Sequence, residues 1–158
     1  MTIDCVLGID PGLTGSIAFY FPSAPDKVSV EDMPVVGGEI DVELLGRRIA
    51  QLRPTIAIIE NVHADPKFGA VGNFKLGGAY HAARAAVLIN GVPLHQVSPT
   101  VWKKHFRLDR DKELSRALAR RLWPSSTHFD RKLDHNRAEA ALIARYCAEV
   151  LIQSGVSV

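Results

Sequence analysis

Residues 5–20 read CVLGIDPGLTGSIAFY. A short, mostly apolar run from Cys5 to Asp10 is broken by Pro11-Gly12, and a second run follows from Thr14 to Phe21. Two strands separated by a tight break are the natural reading. Side chains alternate along a strand, so Val6, Gly8 and Asp10 share one face. The run therefore ends in a carboxylate on the same side as its small and apolar residues.

Further along, Pro22 to Asp26 is rich in turn formers, and Lys27 to Met33 alternates well enough for a third strand. A Gly37-Gly38 loop follows. Asp41 is placed to cap a helix whose apolar face is Leu44, Leu45, Ile49 and Leu52, and Pro54 stops it. Thr55 to Ile59 is a compact apolar run closed by Glu60, the pattern of a buried parallel strand. Residues 61–73 contain glycine and proline and read as a loop. A helix rich in small residues is predicted from about Phe74 to Ile89, and Leu94 to Val97 makes a fifth strand. Ser98-Pro99 opens a short helix. Asp109 or Arg110 opens another that runs to Leu122, and the last helix covers about Asn136 to Gln153. Three consecutive strands suggest an antiparallel meander, and a helical crossover to the fourth implies parallel pairing. The expected fold is α/β, a mixed five-stranded sheet flanked by helices on both faces.

The chain has 158 residues, about the length of one domain, so residues 1–158 are expected to form a single unit. Hydrophobic residues make up 47% and charged residues 23%, which excludes disordered and collagen-like classes. The net charge is +2, but it is unevenly distributed. Residues 1–60 carry 4 basic and 9 acidic side chains, whereas residues 61–158 carry 15 basic and 8 acidic ones and all 6 histidines. Cys5 and Cys147 lie in apolar contexts without metal-type spacing, so they are expected to be buried free thiols in a reducing compartment. The N-terminus lacks the pattern of a signal peptide, and no apolar run approaches the ~18 residues of a membrane span. A cytosolic protein is expected.

The informative residues are acids placed where a core is expected. If the first and fourth strands lie parallel and adjacent, Asp10 and Glu60 emerge together at the carboxyl edge of the sheet, where open α/β sheets bind ligands. On the last helix, Glu139 lies one turn before Ile143, on the stripe Ile143, Cys147, Val150 and Leu151. Asp134 and His135 lie at the entrance of that helix. Each has an ordinary alternative: Asp10 in an Asx-type turn, Glu60 paired with an arginine, Glu139 satisfied by the helix dipole, Asp134 and His135 as capping or loop residues. Convergence weighs more than any one of them. Three acids from separate elements repel unless a cation lies between them. Hard oxygen donors suit Mg²⁺, with Mn²⁺ able to substitute. Two such ions can activate water and stabilise the leaving oxygen of a phosphodiester.

Five segments together, GIDPGLTGSIAFY at 8–20, IIENVHA at 58–64, FKLGGAYHAARA at 74–85, VSPTVWKKHF at 97–106 and DHNRAEAALIA at 134–144, resemble the RuvC-type Holliday junction resolvases of the RNase H-like nuclease superfamily. The similarity is to the compact forms of phage and related genomes. It runs in the family's order over almost the whole chain. The GIDPG stretch alone would also suit the nucleotide loop of actin-like ATPases, but those need two such domains. The resemblance implies an RNase H-like fold and a Mg²⁺-dependent endonuclease of a bacterium or its phage. It would act as a homodimer on four-way DNA junctions and leave 5′-phosphate and 3′-hydroxyl ends. Carried over by position, Asp10, Glu60 and Glu139 are metal-binding and catalytic. A fourth ligand lies about one turn before Glu139. Asn136 stands three residues before it, where many members carry an acid or histidine. His135, four before, is the favoured catalytic candidate because it shares a helix face with Glu139, and Asp134, five before, is second, as a metal ligand. The remaining readings are an RNase H-like nuclease of other branched DNA or RNA–DNA hybrids, and a non-catalytic junction binder.

Residues 101–137 hold 11 basic and 5 acidic side chains. Lys103, Lys104, Arg131, Lys132 and Arg137 are candidate phosphate contacts. Lys103 or Lys104 could also stabilise charge at the scissile phosphate. Lys67 and Phe68, close after Glu60, could wedge against unstacked bases. The small residues of 77–86 suit either packing on the sheet or a two-fold dimer seam.

Overall fold

The computed structural model describes residues 2–155. Strands β1 (Val6–Asp10), β2 (Ser16–Tyr20) and β3 (Val28–Asp32) form an antiparallel meander. β6 (Ile56–Glu60) lies parallel on the other side of β1, and β7 (Leu94–Val97) is parallel to β6. The sheet order is β3-β2-β1-β6-β7, the mixed five-stranded sheet expected from the sequence. Between β3 and β6 come β4 (Val35–Val36), β5 (Glu39–Ile40) and helix α1 (Val42–Leu52). After β6 come α2 (Gly69–Ile89), α3 (Pro99–His105), α4 (Lys112–Leu122) and α5 (His135–Ser154).

Alternation along the strands divides the core in two. Leu7, Ile9, Ala57 and Ile59 face α1 and α2, packing with Leu45, Ile49, Ala83 and Val87. Val6, Ile56 and Ile58 face the other way, with Trp102, Trp123, Phe129 and the middle of α5. Helices thus cover both faces. Cys5 and Cys147 are buried free thiols, and burial pushes them up to about 11 and about 12 respectively.

Helix α5 lies directly on β1. A β-carbon at Gly8 would stand 2.3 Å from the Ala140 carbonyl oxygen and 2.6 Å from the Ala144 nitrogen. Only glycine allows this approach. The helix is also buried more completely than its expected stripe. Ala138 through Ala144 are all buried, because the sheet covers one side and α3 and α4 cover the other. Val150 and Leu151, expected on the stripe, are only half-buried.

Two local readings are corrected and one is extended. The Gly37-Gly38 loop is the turn of a small hairpin whose strands β4 and β5 the sequence did not announce, and both glycines take positive φ, as a two-residue turn requires. Residues 66–73 are helical rather than loop. Asp65 accepts a hydrogen bond from the Lys67 N–H and Pro66 occupies the first helical position, so the glycine- and proline-bearing segment is a helix start. α4 begins at Lys112, because Asp111 caps it by accepting from the Glu113 N–H.

Candidate active site

β1 and β6 are in register, with Gly8 opposite Ile58 and Ile9 opposite Ile59. Asp10 and Glu60 follow at the same carboxyl edge, on the face covered by α5. The close seat of α5 on Gly8 brings Glu139 to this edge as well. Asp10 and Glu139 are buried and Glu60 is half-buried. Burial first, then the charges of Glu139 and Glu60, push the Asp10 carboxyl well above its ordinary value, against the opposing pull of Lys112 and Lys103. Glu60 is raised by burial too, with Glu139 adding to the effect and a hydrogen bond from Trp102 opposing it.

Two residues of α3 reach into this cluster. β7 ends at Val97, which pairs with Glu60, and α3 starts two residues later. The Trp102 indole N–H donates to Glu60 Oε2 at 2.6 Å. Lys103 Nζ stands 3.2 Å from Glu139 Oε1 and 5.4 Å from the centre of the Trp102 ring. The lysine gives Glu139 an ion pair without an aligned hydrogen bond, and Glu139 Oε1 is buried with no hydrogen-bond partner. Among the described residues, no three His, Cys, Asp or Glu side chains are gathered closely enough to hold one ion as they stand. The chemistry of the set nevertheless fits a hard divalent cation. All donors are carboxylate oxygens, the charge of Glu139 helps to raise both Asp10 and Glu60, and one buried oxygen lacks a hydrogen bond.

The helix entrance is arranged differently. Asp134, only 1% exposed, accepts the Arg131 backbone N–H at 2.8 Å and the Arg131 guanidinium at 2.8 and 3.0 Å. Burial alone would raise its pKa, but the hydrogen bonds from Arg131 outweigh burial and bring it below the ordinary value. Its carboxylate is therefore committed to closing the turn at 131–134. His135 is half-exposed, with Nδ1 3.3 Å from the Lys132 carbonyl oxygen. Asn136 donates to the Thr14 carbonyl at 2.7 Å, tying the start of α5 to the loop that follows Asp10. Arg137 forms a bidentate pair with Asp32 at 2.6 and 2.8 Å and clamps α5 to β3. Of the expected site residues, Asp10, Glu60, Glu139 and Lys103 come together. Asp134, Arg131 and Arg137 are joined to one another or to Asp32.

The cluster is flanked by two grooves. One, of about 770 Å³, is lined by Lys103, Lys104, Arg107 and Arg110 together with Pro99 and Thr100. The other, of about 240 Å³, runs between Pro11–Thr14 and the start of α2, where Phe68 forms part of its wall. Phe68 is 52% exposed. Lys67 Nζ lies 5.0 Å from its ring centre and 3.1 Å from Asp65. Lys132 is exposed. Sequence reasoning missed Trp102 and the electrostatic reach of Lys112 to Asp10 and Glu60. Trp102 left no local signal, because its partner lies 42 residues away.

The fold has counterparts among solved structures. Thermus thermophilus RuvC in complex with a Holliday junction substrate superposes with a TM-score of 0.63 at 20% identity, covering 92% of this chain and 95% of that one. The chain has the RNase H-like fold of RuvC. A second structure of Thermus thermophilus RuvC gives a TM-score of 0.60 at 18% identity over 92% of this chain and 96% of the other. The yeast mitochondrial Holliday junction resolvase Ydc2 gives 0.51 at 18% identity over 95% of this chain and 83% of that one. No family model matches the sequence, and no curated protein does. Across the RuvC fold, then, the likeness is carried by architecture far more than by identity. No helix among the described residues is long and apolar enough to cross a membrane.

Proposed function

We propose that this chain is a structure-selective endonuclease that cleaves four-way DNA junctions by metal-assisted phosphodiester hydrolysis, leaving 5′-phosphate and 3′-hydroxyl ends. The observation that carries this reading is the convergence of Asp10, Glu60 and Glu139 from β1, β6 and α5 on one edge of the sheet, with Lys103 among them. These three acids would hold Mg²⁺, or Mn²⁺ in its place. Asp134 has its charge satisfied by Arg131, which leaves His135 and Asn136 as the residues of α5 nearest the fourth position. A divalent ion bound there supplies charge stabilisation at a phosphoryl oxygen and an acidified water.

The chain's own residues supply the rest. Lys103 and Lys112 put positive charge beside the acids, where negative charge develops on the phosphate. Lys104, Arg107 and Arg110 line the groove that leads to them and suit the phosphates of an incoming arm. Phe68, exposed on the opposite flank beside Lys67, suits stacking against an unpaired base at the branch point.

A homodimer fits the outer face of α2. Val71, Phe74, Leu88 and Ile89 are exposed along it, Phe74 at 84% and Ile89 at 85%. A β-carbon at Gly77 or Gly78 would meet nothing within 4 Å, so the small residues there leave room outside the subunit, whereas Ala79, Ala83 and Ala86 pack inward. A two-fold pair would present two acid clusters to a substrate that itself has near two-fold symmetry.

The test is cleavage of a synthetic four-way junction in Mg²⁺, beside a fork and an RNA–DNA hybrid, with Asp10→Asn and Glu60→Gln as controls. The wild-type chain is expected to cut the junction preferentially, and both variants to lose cleavage. Undiminished cleavage by the variants overturns the assignment of the site. Preference for the fork or hybrid overturns the junction reading. Tight junction binding without cleavage in either Mg²⁺ or Mn²⁺ makes the chain a binding protein.

A further inference from the structure

The molecule has two tryptophans, both fully buried, and their indole N–H groups are satisfied in different ways. Trp123 donates to the Pro25 backbone carbonyl at 3.1 Å, an ordinary solution for a core indole. Trp102 donates at 2.6 Å to a carboxylate, Glu60 Oε2, in the acid cluster. Its ring face also lies under the Lys103 ammonium, 5.4 Å from the ring centre. One buried side chain thus touches two of the groups that meet at the sheet edge. It approaches them from α3, an element that carries none of the three acids.

We propose that Trp102 is a positioning residue for the site: its indole N–H fixes the orientation of the Glu60 carboxylate, and its ring face steers Lys103 toward Glu139. The inference rests on the reading of Glu60 as a metal ligand. A free glutamate at a strand end can rotate its terminal carboxylate broadly. With Oε2 held by a fully buried donor, Oε1 is the oxygen left for an ion. Trp102 itself is locked, because its ring is packed within the core shared by β6 and α5. Partners that orient a metal-binding carboxylate in this way set affinity as much as geometry does, and their loss typically costs about 10–100-fold in metal affinity.

The experiment compares Mn²⁺ binding by isothermal titration calorimetry in the wild-type chain, Trp102→Phe and Glu60→Ala. It also follows the indole N–H resonances by NMR without metal. Phenylalanine keeps an aromatic face for the core and for Lys103 but removes the donor. The expected result is a folded Trp102→Phe protein that binds Mn²⁺ about 10–100-fold more weakly than wild type. In the NMR arm, the downfield Trp102 indole signal of the wild type moves upfield in Glu60→Ala while that of Trp123 stays in place. A residue that only fills the core would lower thermal stability without changing the affinity of the folded protein. Binding by Trp102→Phe as tight as wild type, with binding lost in Glu60→Ala, overturns the positioning role and leaves the metal site standing. No Mn²⁺ binding by wild type, or undiminished binding by Glu60→Ala, removes the metal site and the inference with it. Should Trp102→Phe fail to fold, the NMR arm decides, and an indole signal that ignores Glu60→Ala overturns the proposal.

Discussion

Asp134 and Glu139 lie five residues apart at the same end of α5, and both are almost wholly buried, at 1% and 4% exposure. Their surroundings are opposite. Asp134 is held by three hydrogen bonds from Arg131, with Arg137 3.9 Å away, and titrates below its ordinary value. Glu139 faces Asp10 and Glu60, has one lysine at ion-pair distance and leaves an oxygen without a hydrogen bond. A buried carboxylate that is fully partnered holds a fold together. One that is crowded by like charges and under-partnered is costly to keep, unless a cation enters. On the proposed function, the contrast would separate a structural acid from a chemical one on a single helix.

The sharpest way to break this comparison is to neutralise each acid in turn. Glu139→Gln is expected to lower single-turnover cleavage of a four-way junction by more than about 100-fold, beyond what the loss of an outlying partner costs. Asp134→Asn should stay within a few-fold of wild type. Equal losses would return Asp134 to the ligand set.

Stability should show the reverse order. Asp134→Asn leaves the Arg131 donors poorly matched and is expected to cost about 1–3 kcal/mol in urea unfolding. Glu139→Gln removes repulsion with Asp10 and Glu60 but also the ion pair with Lys103, so it should change the stability of the metal-free protein less than Asp134→Asn does.

The smallest effect is the dependence on pH, best read as Tm in EDTA. Asp134 is depressed in the fold, so its contribution is present above its unfolded value of about 3.9 and is lost as pH falls through the lower folded value. Asp10 is raised, mainly by burial. It therefore contributes stability below about 3.9, and that contribution is lost as pH rises toward its folded value. Asp134→Asn should flatten the acid limb, and Asp10→Asn should flatten the decline above it. Parallel curves for the two variants would erase the distinction.

Much of the edge was legible in the sequence. Period-two alternation put Asp10 and Glu60 on defined faces of apolar runs, and a parallel crossover put the two runs side by side. Glu139 was visible because a carboxylate on a core helix needs a partner. The partners themselves were not legible. Trp102 reaches Glu60 across 42 residues of chain, and Lys103 was singled out for the phosphate but not as the ion-pair partner of Glu139. Helix spacing ranked His135 ahead of Asp134, but it could not show how each is held, because that lies in the path of the 131–134 turn, which folds Arg131 back onto Asp134. The start of α2 was misplaced because proline and glycine mark helix starts as well as loops, and only the Asp65 cap decides between them.

The bare Cα of Gly8 has a consequence for motion. With the Ala140 carbonyl seated on it and no side chain between, β1 and the middle of α5 meet backbone to backbone and must shift as one body. Asp10 and Glu139 travel on that body together. Glu60 and Lys103 reach the edge from the neighbouring strand and from α3. On the proposed function, the β1–α5 side would serve as the anvil against which Glu60 and Lys103 settle around an ion.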